Sequence, residues 1–273
     1  MDVLYVVIPA YNEAANIRRT VNEWYPVVEK HNEEGLSRLV IINDGSRDQT
    51  YDIVIEEKKR RPFLIALTKQ NGGHGSAVIA GYRYALAHGA DYIFQTDADG
   101  QTNPDEFESF WNRRAEYDAV FGNRTDRRDG VSRVLVERIL CFILRIYFHV
   151  GIPESNAPFR LMKSQYVKDY LPRLPSDDYN LPNVMMTTFG VYDQKNVAFM
   201  PVSFRPRQGG TNSINIKKIL LIGRRALGDF RRFRKNMEGN RLRSGQARFP
   251  RRARKTREKQ QTPASRSCYT CGS

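Results

Sequence analysis

Apolar and polar residues alternate along the first 125 residues in blocks rather than singly. Five short runs rich in β-branched and aromatic residues read as buried strands: Leu4 to Ile8, Leu39 to Ile42, Phe63 to Leu67, Tyr92 to Gln95 and Ala119 to Phe121. Between them, Glu13 to Lys30, Asp48 to Arg60 and Ser76 to Ala87 read as helices, the first with Asn12 as its expected N-cap. Continuous apolar strands separated by helices predict an α/β fold, with a mostly parallel sheet and helices on both faces. From Val131 the pattern changes. Val134, Leu135, Ile139, Phe142, Ile143 and Ile146 recur at helical spacing, with Arg138 and Arg145 among them. Such a helix either packs on the sheet or lies in a membrane interface, and the pattern allows both. Residues 216–235 form a second amphipathic stretch, very basic, for which a membrane surface is the expectation.

In open α/β sheets ligands bind beyond the carboxyl ends of the strands. The first four runs lead into Pro9–Glu13, Asn43–Ser46, Asn71–Gly75 and Asp97–Gln101, all polar or glycine-rich and all expected at one edge. Asp97 and Asp99 stand two residues apart, so both carboxylates can aim at one point. A hard cation such as Mg²⁺ or Mn²⁺ takes oxygen ligands and shares them with substrate phosphates, and Gln101 continues the two-residue step as a third donor. The bland alternative is a solvated turn before a helix at Pro104. Asp44 can accept from a nucleobase or ribose, or else cap a turn before Asp48. The glycines up to Gly75 allow close approach of a diphosphate, and His74 reads as an ordinary loop residue.

Charge changes the picture only at one end. The net charge is +14, but residues 231–273 hold 14 Lys or Arg against two acids, so +12 lies there and the body is nearly neutral. After Lys235 apolar residues become sparse. The expected division is a catalytic domain over 1–235 and a basic, disordered tail over 236–273. That tail suits non-specific phosphate contacts, but with only Phe249 and Tyr269 for stacking no specific nucleic acid is expected. Three cysteines make no disulfide framework, and Cys268 and Cys271 lack two further zinc ligands. No signal peptide is expected at the start, and no segment reaches the ~20 apolar residues that span a bilayer. The expected location is the cytoplasm, peripheral on a membrane.

VVIPAYNEAANI, VIINDGSRDQT, NGGHGSAVIAGYRYAL and TDADGQTNPDEF, in this order, resemble family 2 glycosyltransferases of the GT-A fold. Within that family they are similar to the dolichol- or polyprenol-phosphate mannosyl- and glucosyltransferase branch. The resemblance implies that Pro9, Ala10, Tyr11, Glu13, Asp44, Gly75 and Ala98 line the nucleotide-sugar site. It gives Asp97, Asp99 and Gln101 to the metal and diphosphate. Residues 121–133 are similar to the family's arginine-bearing segment, and 204–219 to its C-terminal element, with Arg207, Gly210 and Ser213 in place. Arg128, Arg133, Arg207 and Ser213 are thereby candidates for an acceptor phosphate. Two departures are Asn43 where the family has aspartate, and no lysine after Ser213.

A sugar-diphosphate donor breaks with negative charge gathering on the leaving nucleoside diphosphate. A cation at Asp97 and Asp99 acts there as a Lewis acid, and Arg124 and Arg207 are the expected arginines for preorganised phosphate contacts. A hydroxyl acceptor, as in polysaccharide or glycolipid synthesis, needs a base, for which Asp177 or Asp178 is nearest at hand. A lipid phosphate, with a second pKa near ~6, is already ionised at neutral pH and needs none. Arginine richness tilts the expectation toward phosphate, with an anionic membrane surface and a membrane-embedded protein as further partners. A nucleotidyltransferase would be expected to show a glycine-rich phosphate loop near its start, where this chain has PAYNE.

Overall fold

A strand buried at every position forms from Leu4–Ala10 (β1), because both of its faces are covered. Its even-numbered residues Leu4, Val6 and Ile8 join one apolar cluster with Val21, Trp24 and Val28 of α1 (Ile17–Lys30). Val7 meets α3 (His74–Ala87) instead, so closely that a Cβ on Gly81 would lie 2.3 Å from its Cγ1. The unbroken apolar run is thus a period-two strand between two helical layers. The computed structural model describes residues 2–127, 131–205 and 228–235, with the backbone alone at 125–127 and 131–135.

The remaining strands are β2 (Arg38–Asn43), β3 (Leu64–Thr68), β4 (Tyr92–Thr96), β5 (Ala119–Arg127), β6 (Phe159–Lys163) and β7 (Val197–Phe204). Together with β1 they make one sheet in the order β3-β2-β1-β4-β6-β5-β7. Strands β1 to β4 are parallel, β6 runs antiparallel to both β4 and β5, and β5 pairs in parallel with β7. The chain winds from β1 outward to β3, then returns to place β4 on the other flank of β1. That reversal puts a crevice at the carboxyl ends of β1 and β4. An aromatic cluster fixes β4: Phe94 lies 5.1 Å from Trp24, 5.0 Å from Phe107 and 4.7 Å from Phe159, ring centre to ring centre.

The sequence pattern placed the β1–α1–β2–α2–β3–α3–β4 series well, with α2 at Thr50–Lys58. It erred at the start of α1. Asn12 is not the cap: its φ is 55°, and its Oδ1 accepts the Arg47 N–H at 2.8 Å. The helix begins at Ile17 behind Asn16, because Asn12 takes a left-handed φ and the N–H groups of residues 12–14 hold that stretch to the neighbouring loop. The helix expected at Pro104 is present as a turn at Pro104–Glu106 that runs into α4 (Phe107–Trp111), whereas the pattern gave no sign of β6 or β7, or of α6 (Ser164–Tyr170) and α7 (Pro182–Tyr192).

The expected helix after residue 131 is α5 (Val131–Phe148). Leu144 and Phe148 are buried, whereas Val136, Ile139, Phe142 and Ile146 are exposed, Phe142 by 62%. One face packs and an apolar stripe on the other does not. Residues 228–235, the described end of the second basic stretch, are helical. Phe230 there meets Phe148, and Phe233 meets Phe189, so this apolar face is taken up by the protein itself. This corrects the expectation of a membrane-facing apolar side for that end of the stretch.

Candidate active site

The loops after the parallel strands are tied to one another by their own polar groups. The Asn12 N–H donates to Ser46 Oγ at 3.0 Å, Glu13 N–H to Thr50 Oγ1 at 2.8 Å, and Ala14 N–H to Asp48 Oδ2 at 3.1 Å. Pro9 and Ala10 are buried in β1, Tyr11 is half-buried, and the Glu13 carboxylate accepts from Asn16 Nδ2 at 2.8 Å. Asp44, 2% exposed, ties the second loop to the third. Its Oδ1 accepts from Lys69 Nζ at 2.7 Å and the Gly72 N–H at 3.0 Å, and its Oδ2 accepts the Gly73 N–H at 2.8 Å. It is neither an Asx-turn residue nor a helix cap, the alternatives the sequence suggested. Gly45 permits the approach: with φ 65°, a Cβ there would sit 2.8 Å from the Asn71 nitrogen.

Asp97 and Asp99 follow β4 at the crevice. Both are partly exposed while Ala98 between them is 2% exposed, in a turn just beyond the strand end. The Ala98 carbonyl is held by Thr20 Oγ1 of α1 at 2.9 Å. Burial pushes the Asp97 carboxyl up to about 6, His74 opposing the rise and the Asp99 charge adding to it. Two carboxylates whose charges oppose one another in this way are relieved when a cation joins them. His74, passed over in the sequence, stands with Nε2 3.8 Å from Asp97 Oδ1, brought there by the first turn of α3. Only its neighbours Gly73 and Gly75 signalled that this turn comes close to other backbone. A Cβ on Gly75 would lie 2.0 Å from the Tyr179 carbonyl, so its missing side chain serves packing of α3 on residues 179–182. Gln101 is 4% exposed and its Nε2 donates to the Arg205 carbonyl at 2.9 Å, linking the loop to the end of β7.

Arg124 does not extend into open space. It is paired bidentately with Glu154, Nε to Oε2 at 3.0 Å and Nη2 to Oε1 at 2.8 Å, with side chains 9% and 3% exposed. Its charge still reaches Asp97 and lowers that carboxyl's pKa. Glu154 was not foreseen, since nothing in ESNAP marks it as the partner of a strand residue 30 positions earlier. Asp177 is exposed and paired with Arg83, and Asp178 accepts from Ser176. Arg128, Arg207, Gly210 and Ser213 lie outside the described residues, as does the Arg133 side chain.

Residues 5–171 match the family described as Glycosyl transferase family 2. An uncharacterized protein of Methanocaldococcus jannaschii is 28% identical over 187 residues, 66% of this chain and 72% of that protein. The UDP-N-acetylglucosamine–dolichyl-phosphate N-acetylglucosaminyltransferase of Methanococcus voltae is 36% identical over 117 residues. That match covers 38% of this chain and 44% of that protein, less than half its length. The crystal structure of glucosyl-3-phosphoglycerate synthase from Mycobacterium tuberculosis with Mn²⁺ and uridine-diphosphate-glucose superposes with a TM-score of 0.61. It is 17% identical over 83% of this chain and 77% of that one, a likeness of fold.

Proposed function

The chain belongs to glycosyl transferase family 2, and on that premise we propose that it moves a hexose from a GDP-mannose- or UDP-glucose-type donor to a polyprenyl or dolichyl phosphate. The displacement inverts the anomeric carbon and uses Mg²⁺ or Mn²⁺ at Asp97 and Asp99. The observation that carries this reading is the carboxylate pair at the switch-point crevice, with Asp97 raised to about 6 by burial. Among the described residues no group of three or more His, Cys, Asp or Glu is arranged to hold a metal. Two carboxylates plus donor phosphates and water suit a hard cation of this kind. When bound, the ion supplies Lewis-acid stabilisation of the leaving diphosphate.

The protein's own groups have separate tasks in this reading. Glu13, Asp44 and the β1 loop receive the nucleoside, and Gln101 fixes the loop that presents Asp99. Arg124, held by Glu154, contributes positive potential at Asp97 without contact. Arg128, Arg133, Arg207 and Ser213 are assigned to phosphate groups on their sequence resemblance. The acceptor is read as a phosphate because the nearest base candidates, Asp177 and Asp178, are turned to Arg83 and Ser176. The dolichyl-phosphate enzyme among the relatives supports the same choice. No helix among the described residues is long and apolar enough to cross a membrane. The exposed stripe on α5, flanked by exposed Arg138 and Arg145, supports peripheral attachment to an anionic, cytoplasm-facing membrane surface. A membrane-embedded partner protein fits the same placement.

A donor screen with GDP-mannose and UDP-glucose, with and without polyprenyl phosphate, tests the reaction. Activity should require divalent metal, and Asp99→Ala should lower kcat by at least about 100-fold, the scale of lost transition-state charge stabilisation, with an unchanged melting temperature. Full turnover in excess EDTA, or a wild-type rate for Asp99→Ala, overturns the metal assignment.

A further inference from the structure

Behind Asp97 runs a buried polar chain that none of these roles uses. Gln95 of β4 is fully buried, and its Nε2 donates to Asp97 Oδ1 at 3.3 Å. Its Oε1 accepts from Nδ2 of Asn183, in the first turn of α7, at 3.0 Å. The Tyr82 hydroxyl of α3 lies 3.3 Å from Asn183 Oδ1 and 3.5 Å from Gln95 Oε1. Tyr82 is 0% and Asn183 3% exposed. Asn183 is itself anchored, its carbonyl accepting from Thr187 Oγ1 at 2.9 Å, and that hydroxyl accepts from Nη2 of the buried Arg160 at 2.7 Å.

The polarity of this chain is determined. A primary amide has a donor end and an acceptor end. Turned over, Gln95 would set its carbonyl against the Asp97 carboxylate and its NH₂ against the NH₂ of Asn183. In the observed orientation both amide contacts pair a donor with an acceptor, and the Tyr82 hydroxyl donates to the nearer amide oxygen, so Asn183 fixes the Gln95 amide and the amide fixes one oxygen of Asp97. Packing alone does not call for this. An apolar residue at position 95 would fill the same space without the roughly 1–3 kcal/mol risk attached to each unpaired buried polar group. The chain ends on the carboxylate that faces the crevice.

We propose that Gln95 and Asn183 are positioning residues for the cation site, holding the Asp97 carboxylate turned toward the ion. This rests on the reading of Asp97 and Asp99 as metal ligands. Partners that orient a metal ligand from behind typically change metal affinity by about 10- to 100-fold when removed.

Calorimetric titration of the full chain with Mn²⁺ plus UDP or GDP, and with the same nucleotide in EDTA, tests the proposal. Gln95→Met keeps length and volume but loses the N–H, and Asn183→Asp keeps shape but turns the Gln95 amide over. Both should weaken Mn²⁺-dependent binding by about 10- to 100-fold, leave nucleotide binding in EDTA unchanged, and recover at high Mn²⁺. A purely structural role would move neither the metal dependence nor its recovery. Asp97→Asn separates the two readings. If it binds Mn²⁺ and nucleotide as the wild type does, the metal assignment falls, and the proposal with it. If it loses that binding while Gln95→Met keeps wild-type affinity, the positioning role alone is overturned. Should Asn183→Asp not fold, Gln95→Met, which brings no charge, decides the matter.

Discussion

Asp44 and Asp97 are both strand-end carboxylates, yet the protein treats them oppositely. Asp44 has its charge answered from within by one ammonium and two backbone N–H groups. Asp97 faces a second carboxylate and an imidazole at 3.8 Å, and burial lifts its carboxyl to about 6. The second arrangement is one that a cation would relieve, and the first is already neutralised within the protein. Asp44→Ala should therefore do two things at once. It leaves Lys69 and two glycine amides without their acceptor, and charged hydrogen bonds contribute about 1.5–3 kcal/mol each. Because Lys69 keeps 27% exposure and can regain water, a net loss near ~3 kcal/mol is expected. For a chain of this size that lowers the melting temperature by about 6–12 °C. Donor affinity should fall as well, because the loop carrying His74 is released. Unchanged calorimetric donor binding in a folded, destabilised variant would show that Asp44 is a clamp only. That Asp97 and Asp99 would follow a strand at the crevice was legible in the sequence, because a polar, glycine-bearing run closes an apolar one there. Glu154 and Gln95 were not, because their meaning depends on partners 30 and 88 residues away.

At the scale of elements, the series from β1 to β4 was readable because each strand has an apolar run of at least three residues and a polar or glycine-rich loop follows it. β6 escaped notice: only five residues long, it carries Arg160 at its second position, a cation 1% exposed that stacks on the Phe121 ring at 4.0 Å, and ends on Lys163. Periodicity cannot reveal so short a strand when one of its buried residues is charged. α5 was legible as a helix but not in its attachment, which is polar. Glu137 reaches the segment before β6, where its Oε1 accepts from the Ser155 N–H at 2.9 Å and Oγ at 2.7 Å. Burial pushes the Glu137 carboxyl up, but these bonds outweigh it and hold the group below its ordinary value. A carboxyl depressed in the folded state stabilises above its unfolded pKa, and that contribution is lost as pH falls through the folded value. Ser155→Ala should cost about 1–2 kcal/mol at neutral pH, and the gap to wild type should narrow as pH falls through the folded pKa of Glu137, below which the carboxyl is protonated in both forms. Urea unfolding at neutral pH and below that pKa measures it. A gap that stays constant with pH would assign the loss to packing of Ser155.

Charge and apolar surface are divided across the whole molecule. Of the net +14, +12 lies in residues 231–273, beyond every residue assigned to the donor. Among the described residues the apolar stripe free to meet a membrane lies on α5, since Phe230 and Phe233 are spent on Phe148 and Phe189. Attachment to an anionic bilayer would then have two separable parts. One is electrostatic, about 1 kcal/mol per basic residue near the surface, and fades with salt as the Debye length shrinks from about 10 Å at 0.1 M to about 3 Å at 1 M. The other is apolar and survives salt. Removing residues 236–273 should weaken binding to anionic vesicles at low salt and leave transfer to a short soluble acceptor unchanged. Phe142→Glu, at a position 62% exposed, should leave the melting temperature within about 2 °C, as exposed substitutions do, and remove the salt-resistant remainder. Co-sedimentation of the four combinations across salt resolves the two parts. If the truncated chain binds as tightly as the full one at low salt, the tail is no anchor. If Phe142→Glu leaves the high-salt binding intact, the stripe on α5 faces something other than lipid. If the full chain prefers duplex DNA to vesicles at equal salt, the tail serves a nucleic acid instead.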